Sequence, residues 1–176
     1  MTLLVAATER ELCGRSGLVC GVGPVEAAAA TARALALDRP RAVVHVGLAG
    51  ASGLEPGTLV VGSEARYEDL AAAVPVVDRV EPEAALLATV VSAIPEACVL
   101  PLSTSARVGT LRSVSGAPRV EAMEGFAVLR ACALAGCLLA DNWGVMSSAR
   151  LGKRQVDALL RRPRAAQVCL VVRLSG

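Results

Sequence analysis

The chain has very few aromatic residues and a single histidine. Aromatic residues make up 2% of its 176 residues, whereas hydrophobic residues make up 54%. A core with so few rings must be built from Ala, Val and Leu, whose small side chains let helices pack closely on a sheet. The histidine, His45, lies in an apolar run, so we expect it to be a buried core residue. One histidine, and six cysteines without a Cys-x-x-Cys pair, argue against a metal site.

Strong charge and long apolar runs are also missing. The net charge is +2, which is too close to neutral to indicate nucleic acid as a partner. No apolar run reaches the roughly 18 residues of a membrane-spanning helix. The first residues lack the basic segment and apolar run of a signal peptide. We therefore expect a soluble, cytoplasmic protein with reduced cysteines, no membrane partner and no cofactor.

The last part of the chain is basic. After residue 149, seven Lys and Arg residues stand against one acidic residue, Asp157. Such a segment can bind phosphates or an acidic surface, although it is more often a solvated face. The sequence leaves both alternatives open.

Short apolar runs alternate with helical patterns along the chain. The strands predicted from these runs are Thr2–Ala7, Leu18–Cys20, Arg41–Val46, Leu59–Val61, Cys98–Leu102, Arg119–Ala122 and Val168–Leu174. The predicted helices are Val25–Leu37, Glu81–Ile94 and Gly125–Ala135, and weaker patterns indicate a strand over Cys137–Ala140 and a helix over Lys153–Leu160. Continuous apolar strands alternating with helices are typical of an α/β sheet that is covered on both faces. We expect one domain over residues 1–176.

Two glycine-rich segments follow predicted strands. Gly21–Gly23 precedes a helix, but Glu26 replaces the third glycine of a dinucleotide fingerprint, and Asp38 is too near to be its acidic partner. No lysine follows either segment, which excludes a P-loop. We interpret Gly47–Gly53 as a loop that either brings its backbone close to a ligand or forms a turn needing positive φ.

Two carboxylates, Glu121 and Glu124, mark the start of the helix predicted over Gly125–Ala135. A carboxylate in this position can stabilise the helix end by interacting with its partial positive charge. It can also accept two hydrogen bonds at once, which suits the vicinal hydroxyls of a sugar. Spacing alone does not choose between the helix-start acid and the sugar ligand.

Five segments, in this order, resemble the nucleoside phosphorylase and nucleosidase superfamily. They are Val5–Glu11, Gly21–Ala27, Val46–Gly50, Ser63–Asp69 and Val120–Gly125. Within that superfamily, Glu-Ala-Met-Glu-Gly-Phe-Ala and Tyr-Glu-Asp-Leu are most similar to the futalosine hydrolase family.

The resemblance implies a fold, an assembly and an activity. The implied fold is a three-layer α/β/α sandwich with a central mixed sheet, assembled as a homodimer. The implied activity is hydrolysis of the N-glycosidic bond of a purine nucleoside, such as the release of hypoxanthine from futalosine in menaquinone biosynthesis. A methylthioadenosine and S-adenosylhomocysteine nucleosidase is the alternative enzyme. A nucleoside-binding remnant with little turnover is the alternative outside enzymes.

The resemblance also implies residue roles. Glu11 matches the carboxylate that activates the attacking water, and Met123 and Glu124 match the ribose-binding pair. Gly50 and Val108 match backbone positions near the substrate. Arg107 departs from the family, in which a residue that packs on the base often takes this position.

The match weakens after residue 136. Asp141 matches the catalytic acid at the base and Asn142 a second base contact only if the preceding strand is shortened, and the arginine that the family places before them has no counterpart. An ungapped register would place Ser147 at the base instead. We interpret 137–176 as a divergent C-terminal part, in which Trp143 is more simply a packing residue than a pocket lid.

The choice of nucleophile follows from the glycine-rich segments. Phosphorolysis requires basic side chains that hold a phosphate. Gly21–Ala29 and Gly47–Gly53 contain no Arg or Lys, which favours water.

Overall fold

The computed structural model describes residues 2–107, 118–136 and 168–173, the last range by its backbone alone. Within these ranges the strands are β1 (Thr2–Ala6), β2 (Leu18–Val19), β3 (Ala42–Ser52), β4 (Leu59–Tyr67), β5 (Arg79–Val80), β6 (Cys98–Thr104), β7 (Arg119–Ala122) and β8 (Val168–Arg173). The helices are α1 (Glu9–Leu12), α2 (Pro24–Asp38), α3 (Ala84–Ala93) and α4 (Gly125–Gly136).

All of these strands belong to one mixed sheet with the order β2-β1-β3-β7-β6-β4-β5, and β8 pairs with both β3 and β4. β3 is antiparallel to β7 and parallel to β1 and β8, whereas β4 is parallel to β6 and antiparallel to β8. Because β6 also pairs with β7, the strands β3, β7, β6, β4 and β8 form a closed ring of hydrogen-bonded neighbours. The sheet therefore curls upon itself.

Side chains of β1, β3 and β4 enter two separate cores on the two faces of the sheet, because successive side chains of a strand point to opposite faces. Leu3 and Val5 of β1 pack in the core beneath α2 and α4, whereas Leu4 and Ala6 pack in the core that contains Leu12 of α1 and side chains of α3. Helices thus cover the sheet on both faces. The fold is the three-layer α/β/α arrangement with a central mixed sheet that the resemblance implies.

The helix boundaries follow from local capping. Thr8 begins α1 with a capping box, in which the Thr8 hydroxyl accepts from the Glu11 N–H and the Glu11 carboxylate accepts from the Thr8 N–H. Pro24 opens α2, where its missing N–H costs nothing. Glu83 caps α3 by accepting from the N–H groups of Ala85 and Leu86.

Most predicted elements are confirmed within one to three residues at each end. The strands at the N-terminus, at Arg119–Ala122 and at Val168, and the helices at Val25 and Gly125, lie where the patterns place them. The elements predicted over 137–140 and 153–160 lie outside the described residues, as do the basic side chains after residue 149. In the described part of the chain, no helix combines the length and apolar character that crossing a bilayer requires.

The prediction of a loop over Gly47–Gly53 is wrong. β3 continues to Ser52, because β8 pairs with it as far as Ala49 and β7 pairs with it from Gly50 onward. The ladder therefore satisfies backbone groups that a loop would expose. Within this segment the positive φ, +77°, belongs to Gly53.

Two other strands are longer than predicted, because their last residues carry charged or hydroxyl side chains. β4 runs through Glu64 to Tyr67, and β6 includes Ser103 and Thr104, so both strands extend beyond their predicted ends at Val61 and Leu102. The charged segment from Glu9 to Glu11, which belongs to none of the predicted helices, lies in the helix α1.

Candidate active site

A cleft of about 600 Å³ lies where three elements meet at the sheet. Its walls come from the segment between β1 and α1, from the second half of β3, and from the end of β7, with Val22 at one side. The volume is in the range of small-molecule sites, roughly 300–1,000 Å³. The polar side chains of its lining are those of Thr8, Arg10, Glu11, Ser52, Glu121 and Glu124.

Glu11 is held in the cleft by three hydrogen bonds. Its Oε2 accepts from the N–H of Thr8 at 2.9 Å and from the Thr8 hydroxyl at 2.8 Å, while Oε1 accepts from the Leu48 N–H at 2.9 Å. The pairing of β1 with β3 ends at Val5 and His45, so the Leu48 N–H lies beyond the end of β1. Beyond the end of β1, the Glu11 carboxylate accepts the hydrogen bond that a longer β1 would otherwise accept from β3. This bond fixes Glu11 against β3.

Glu124 reaches across the cleft wall to a different helix. Its backbone carbonyl accepts from the Val128 N–H at 3.0 Å, which makes Glu124 the residue that begins α4. Its carboxylate, however, accepts from the N–H of Gly23 at 2.8 Å. Gly23 is the N-cap of α2, with φ +93° and ψ 162°, and the positive end of that helix favours an anion. Glu124 is therefore both a helix-start residue and a buried side chain of the cleft.

Burial raises the pKa of Glu124. The negative charge of Glu11 raises it further, while hydrogen bonds from backbone N–H groups, above all that of Gly23, oppose the rise. The two carboxylates thus interact electrostatically across one cleft.

Cys20 also interacts, through its thiol, with the charges of these two acids. Its burial, with the charges of Glu124 and Glu11, raises the pKa of its thiol to about 12.

The other site residues predicted from the sequence lie on the walls of the same cleft where they are described. Met123 is half-buried directly before Glu124. Gly50 is exposed in β3, opposite Glu121 in the register of the sheet. Among the residues that the structure describes, none lies within 4 Å of a Cβ atom added at Gly50, so its backbone is open to a ligand there. The structure brings together Glu11, Gly50, Met123 and Glu124.

The remaining predicted site residues are not among those that the structure describes. Val108, Asp141 and Asn142 lie outside the described ranges, as do Trp143 and Ser147. Their placement stays a prediction.

The glycine-rich segment before α2 has a structural use that argues against a dinucleotide site. Pyrophosphate binding needs free N–H groups at the start of the helix. The Gly23 N–H is already bonded to Glu124. Gly21, at φ +83°, has no room for a side chain, because an added Cβ would lie 2.8 Å from the Cβ of Glu26. Both glycines adopt positive φ, and the backbone turn that they form presents the Gly23 N–H to the Glu124 carboxylate.

Three residues of the cleft, Arg10, Glu121 and Thr8, had no site role assigned from the sequence. Arg10 is the one basic residue among the described residues that line it, and in the described part of the chain its guanidinium has no carboxylate partner. Glu121 is 7% exposed and faces the cleft as a third acid. Thr8 orients Glu11. The Thr-x-x-Glu spacing of a capping box was a signal that would have located Thr8 and α1 together.

The sequence matches the family model described as the Phosphorylase superfamily over residues 12–141, which is more than half of the chain. No curated protein matches the chain.

Solved structures with the same fold include nucleosidases. S-adenosylhomocysteine nucleosidase from Streptococcus pyogenes, in complex with 5-methylthiotubericidin, is 16% identical with a TM-score of 0.66, over 98% of this chain and 82% of that chain. 5'-Methylthioadenosine/S-adenosylhomocysteine nucleosidase from Neisseria meningitidis, in complex with methylthio-immucillin-A, is 18% identical with a TM-score of 0.63, over 97% and 84%. A futalosine hydrolase mutant of Helicobacter pylori is 13% identical with a TM-score of 0.68, over 90% and 96%. At these identities the likeness establishes a nucleosidase-type fold.

Proposed function

The chain belongs to the phosphorylase superfamily, and we propose that within it this protein hydrolyses the N-glycosidic bond of a purine nucleoside. Futalosine, which would yield hypoxanthine and dehypoxanthine futalosine, is the first candidate substrate. 5'-Methylthioadenosine and S-adenosylhomocysteine are the second. The proposal includes a homodimer in the cytoplasm that acts without a metal or cofactor.

The observation that carries the proposal is the meeting of Glu11 and Glu124 in one cleft. The two acids are distant in the sequence, yet both line the same cavity, and each is fixed by a backbone N–H, that of Leu48 for Glu11 and that of Gly23 for Glu124. Cleavage of an N-glycosidic bond develops positive charge on the ribose ring. Carboxylates that are fixed beforehand stabilise such charge more in the transition state than in the ground state.

In this proposal, Glu11 binds and activates the attacking water. Each carboxylate oxygen can accept about two hydrogen bonds. Oε2 already accepts two, from the N–H and hydroxyl of Thr8, whereas Oε1 accepts one, from Leu48. Oε1 therefore keeps an acceptor site for a water molecule, which it would orient and deprotonate as the bond to the base breaks.

Glu124 is assigned the ribose. Its ionised carboxylate would accept hydrogen bonds from the two vicinal hydroxyls, and Met123 would pack beside the sugar. The bond from Gly23 holds the carboxylate in place before the ligand arrives. Because the hydroxyls are donors, binding requires the ionised form of Glu124.

The base is assigned to residues on the other side of the sugar. Gly50 and Val108 would approach the substrate with their backbones, Asp141 would protonate the leaving purine, and Asn142 would contact the base. The open space at Gly50 supports its part of this assignment. The others come from the resemblance alone.

The choice of nucleoside rests on short motifs. The segment from Glu121 to Ala127 and the Tyr-Glu-Asp-Leu segment resemble futalosine hydrolases, which favours futalosine. Structures of both types of nucleosidase share the fold at similar TM-scores, so methylthioadenosine stays as the second candidate.

The decisive experiment measures release of free base from futalosine, 5'-methylthioadenosine and inosine, with and without phosphate. We expect release without phosphate and no acceleration when phosphate is added. Arg10 makes this a real test, because a cation in the cleft is able to bind phosphate. Release only with phosphate, abolished in Arg10→Ala, would identify a phosphorylase. Binding without release from any nucleoside would identify a nucleoside-binding remnant.

A further inference from the structure

Hydrogen bonds run from Asp69 to the turn that follows β6. The Oδ1 of Asp69 accepts from the Ser105 hydroxyl at 3.0 Å, and its Oδ2 accepts from the Ala106 N–H at 2.6 Å. The Ser105 oxygen in turn accepts from the Arg107 N–H at 3.1 Å. The Asp69 carboxylate therefore holds Ser105 and Ala106 directly, and it holds Arg107 through the Ser105 hydroxyl.

This turn is bonded to the wall of the cleft. The Ser105 N–H donates to the carbonyl of Ala122 at 3.3 Å, and Ala122 lines the cleft immediately before Met123 and Glu124. Ser105 is 1% exposed, so its bonds are not replaced by water. A shift of the turn would be transmitted to the backbone that carries the proposed ribose ligands.

Asp69 is itself held in place by the end of β4. The Glu68 N–H donates to the Thr104 carbonyl at 2.9 Å, which extends the pairing of β4 with β6. The Tyr67 ring stacks on Phe126 of α4 at 5.3 Å between ring centroids. The Thr104 hydroxyl accepts from the Phe126 N–H at 2.9 Å. The ends of β4 and β6 and the start of α4 thus form one hydrogen-bonded and stacked unit.

We propose that Asp69 is a positioning residue of the active site. Acting through Ser105, it sets the backbone of Ala122 and, with it, the placement of Met123 and Glu124. This inference rests on the proposed function. Because Asp69 shapes the cleft wall and is assigned no part in the proton transfers, its loss should weaken nucleoside binding more than turnover.

The chain offers a conservative variant and a matched control. Asp69→Ala removes both acceptors. Asp69→Asn keeps an oxygen for the Ala106 N–H and presents an N–H to the Ser105 oxygen, so it should preserve the turn. Glu68→Ala is the control, because in the described part of the chain the Glu68 carboxylate contacts the Ser103 hydroxyl at 2.6 Å and Arg119 at 3.7 Å, and makes no bond to the turn.

Binding of an uncleavable purine C-nucleoside and steady-state kinetics test the proposal. We expect Asp69→Ala to raise Kd and KM about tenfold while kcat changes less than about threefold. Asp69→Asn and Glu68→Ala should stay within about threefold of the native protein. Equal weakening by Asp69→Ala and Glu68→Ala, or unchanged binding in Asp69→Ala, would overturn the inference. Should Asp69→Ala not fold, Ser105→Ala removes the two bonds of the Ser105 hydroxyl, to Asp69 and from Arg107, and a smaller change in the same direction is expected.

Amide hydrogen exchange separates this inference from the proposed function. In Asp69→Ala the amides of Ala106 and Arg107 should exchange at least about tenfold faster, while that of Glu68 stays protected. Unchanged exchange at Ala106 would refute the positioning role whatever the activity. Faster exchange in a protein whose native form binds no nucleoside would refute the proposed function, and the positioning role in an active site with it, leaving only a structural link.

Discussion

The Oε1 of Glu124 and the backbone N–H of Gly23, which are 101 positions apart in the chain, are joined by a hydrogen bond of 2.8 Å. This bond connects the end of β7 to the start of α2. It gives the buried carboxylate a fixed direction and offsets part of the cost of removing its charge from water. A ligand therefore meets a carboxylate that is already oriented.

Separate roles for the two acids predict different defects in their variants. Glu124→Ala should weaken binding of an uncleavable purine C-nucleoside about 100-fold, because hydrogen bonds to a charged group contribute about 1.5–3 kcal/mol each. Glu11→Gln keeps the shape of the side chain and should spare binding while lowering kcat about 100-fold or more. Calorimetry and base release measure the two quantities. Equal losses of binding in both variants would contradict the division of roles.

The raised pKa of Glu124 predicts how ligand affinity depends on pH. The protonated form presents fewer acceptors to the ribose hydroxyls, so affinity should be constant above this pKa and fall about tenfold per pH unit below it. Because burial raises the pKa, the fall should begin at a higher pH than for an ordinary glutamate. Glu124→Gln serves as the control, since its weaker affinity should not change over the same range. An unchanged affinity of the native protein at pH 4.5 would argue against the assignment.

The backbone of Gly23 predicts a substitution that disturbs the site without removing a side chain. Its φ of +93° with ψ of 162° is a conformation that is essentially restricted to glycine, and strain there costs about 1–3 kcal/mol. Gly23→Ala should lower the free energy of unfolding by that amount and also weaken nucleoside binding, because the N–H that holds Glu124 must move. Gly14, at φ +74° and with open space around it, is the matched position. Gly14→Ala should lower stability, measured by denaturant unfolding, and leave binding unchanged.

A substitution at Gly50 is expected to weaken nucleoside binding without lowering stability. An added Cβ would meet no protein atom within 4 Å, so Gly50→Ala should leave the free energy of unfolding unchanged. The methyl group would occupy space in the cleft, and we expect affinity for the C-nucleoside to fall about tenfold, or roughly 1.4 kcal/mol. Gly50→Val should weaken it further. Undiminished affinity in both variants would place the ligand elsewhere in the cleft.

His45 predicts a loss of stability in acid. It is buried in β3, neither ring nitrogen has a hydrogen-bond partner in the described part of the chain, and burial lowers its pKa to about 4 from an ordinary value of 6.5. The unfolded chain therefore binds the proton at a higher pH than the folded protein does. Stability is complete above about pH 6.5 and is lost as pH falls toward 4, by about 2 kcal/mol between pH 7 and pH 5.

The single histidine makes this measurement clean. Denaturant unfolding of the native protein and of His45→Leu at both pH values isolates the contribution, since the carboxylates are common to the two proteins. The free energy of unfolding of the native protein, minus that of His45→Leu, should fall by about 2 kcal/mol on going from pH 7 to pH 5. A difference that does not change with pH would show that His45 titrates normally.

Much of the fold was predictable because the local signals agree with the packing. The apolar run of β1, Pro24 at the start of α2 and the apolar period of α4 are local signals that agree with the elements observed. The second half of β3 was not predictable. Its glycines favour a loop locally, and only pairing with β7 and β8 makes it a strand.

The site was predictable in its acids but not in their supports. Glu11 and Glu124 follow from motif resemblance, and the structure places both in one cleft. No short-range pattern pairs Glu11 with Leu48, Glu124 with Gly23, or Asp69 with Ser105, because each bond joins elements that only the sheet brings together. Thr8 was the exception, since its capping box is local.

β3 pairs with β1 up to His45 and with β7 from Gly50, so the stretch between these residues sets the distance between the two acids. A strand advances about 3.3 Å per residue, and one inserted residue also reverses which face each later side chain occupies. The irregular segment 70–78, by contrast, borders neither carboxylate. A change of chain length is compatible with the proposed chemistry in that segment, whereas between His45 and Gly50 even a single insertion would change the placement of Glu11 relative to Glu124.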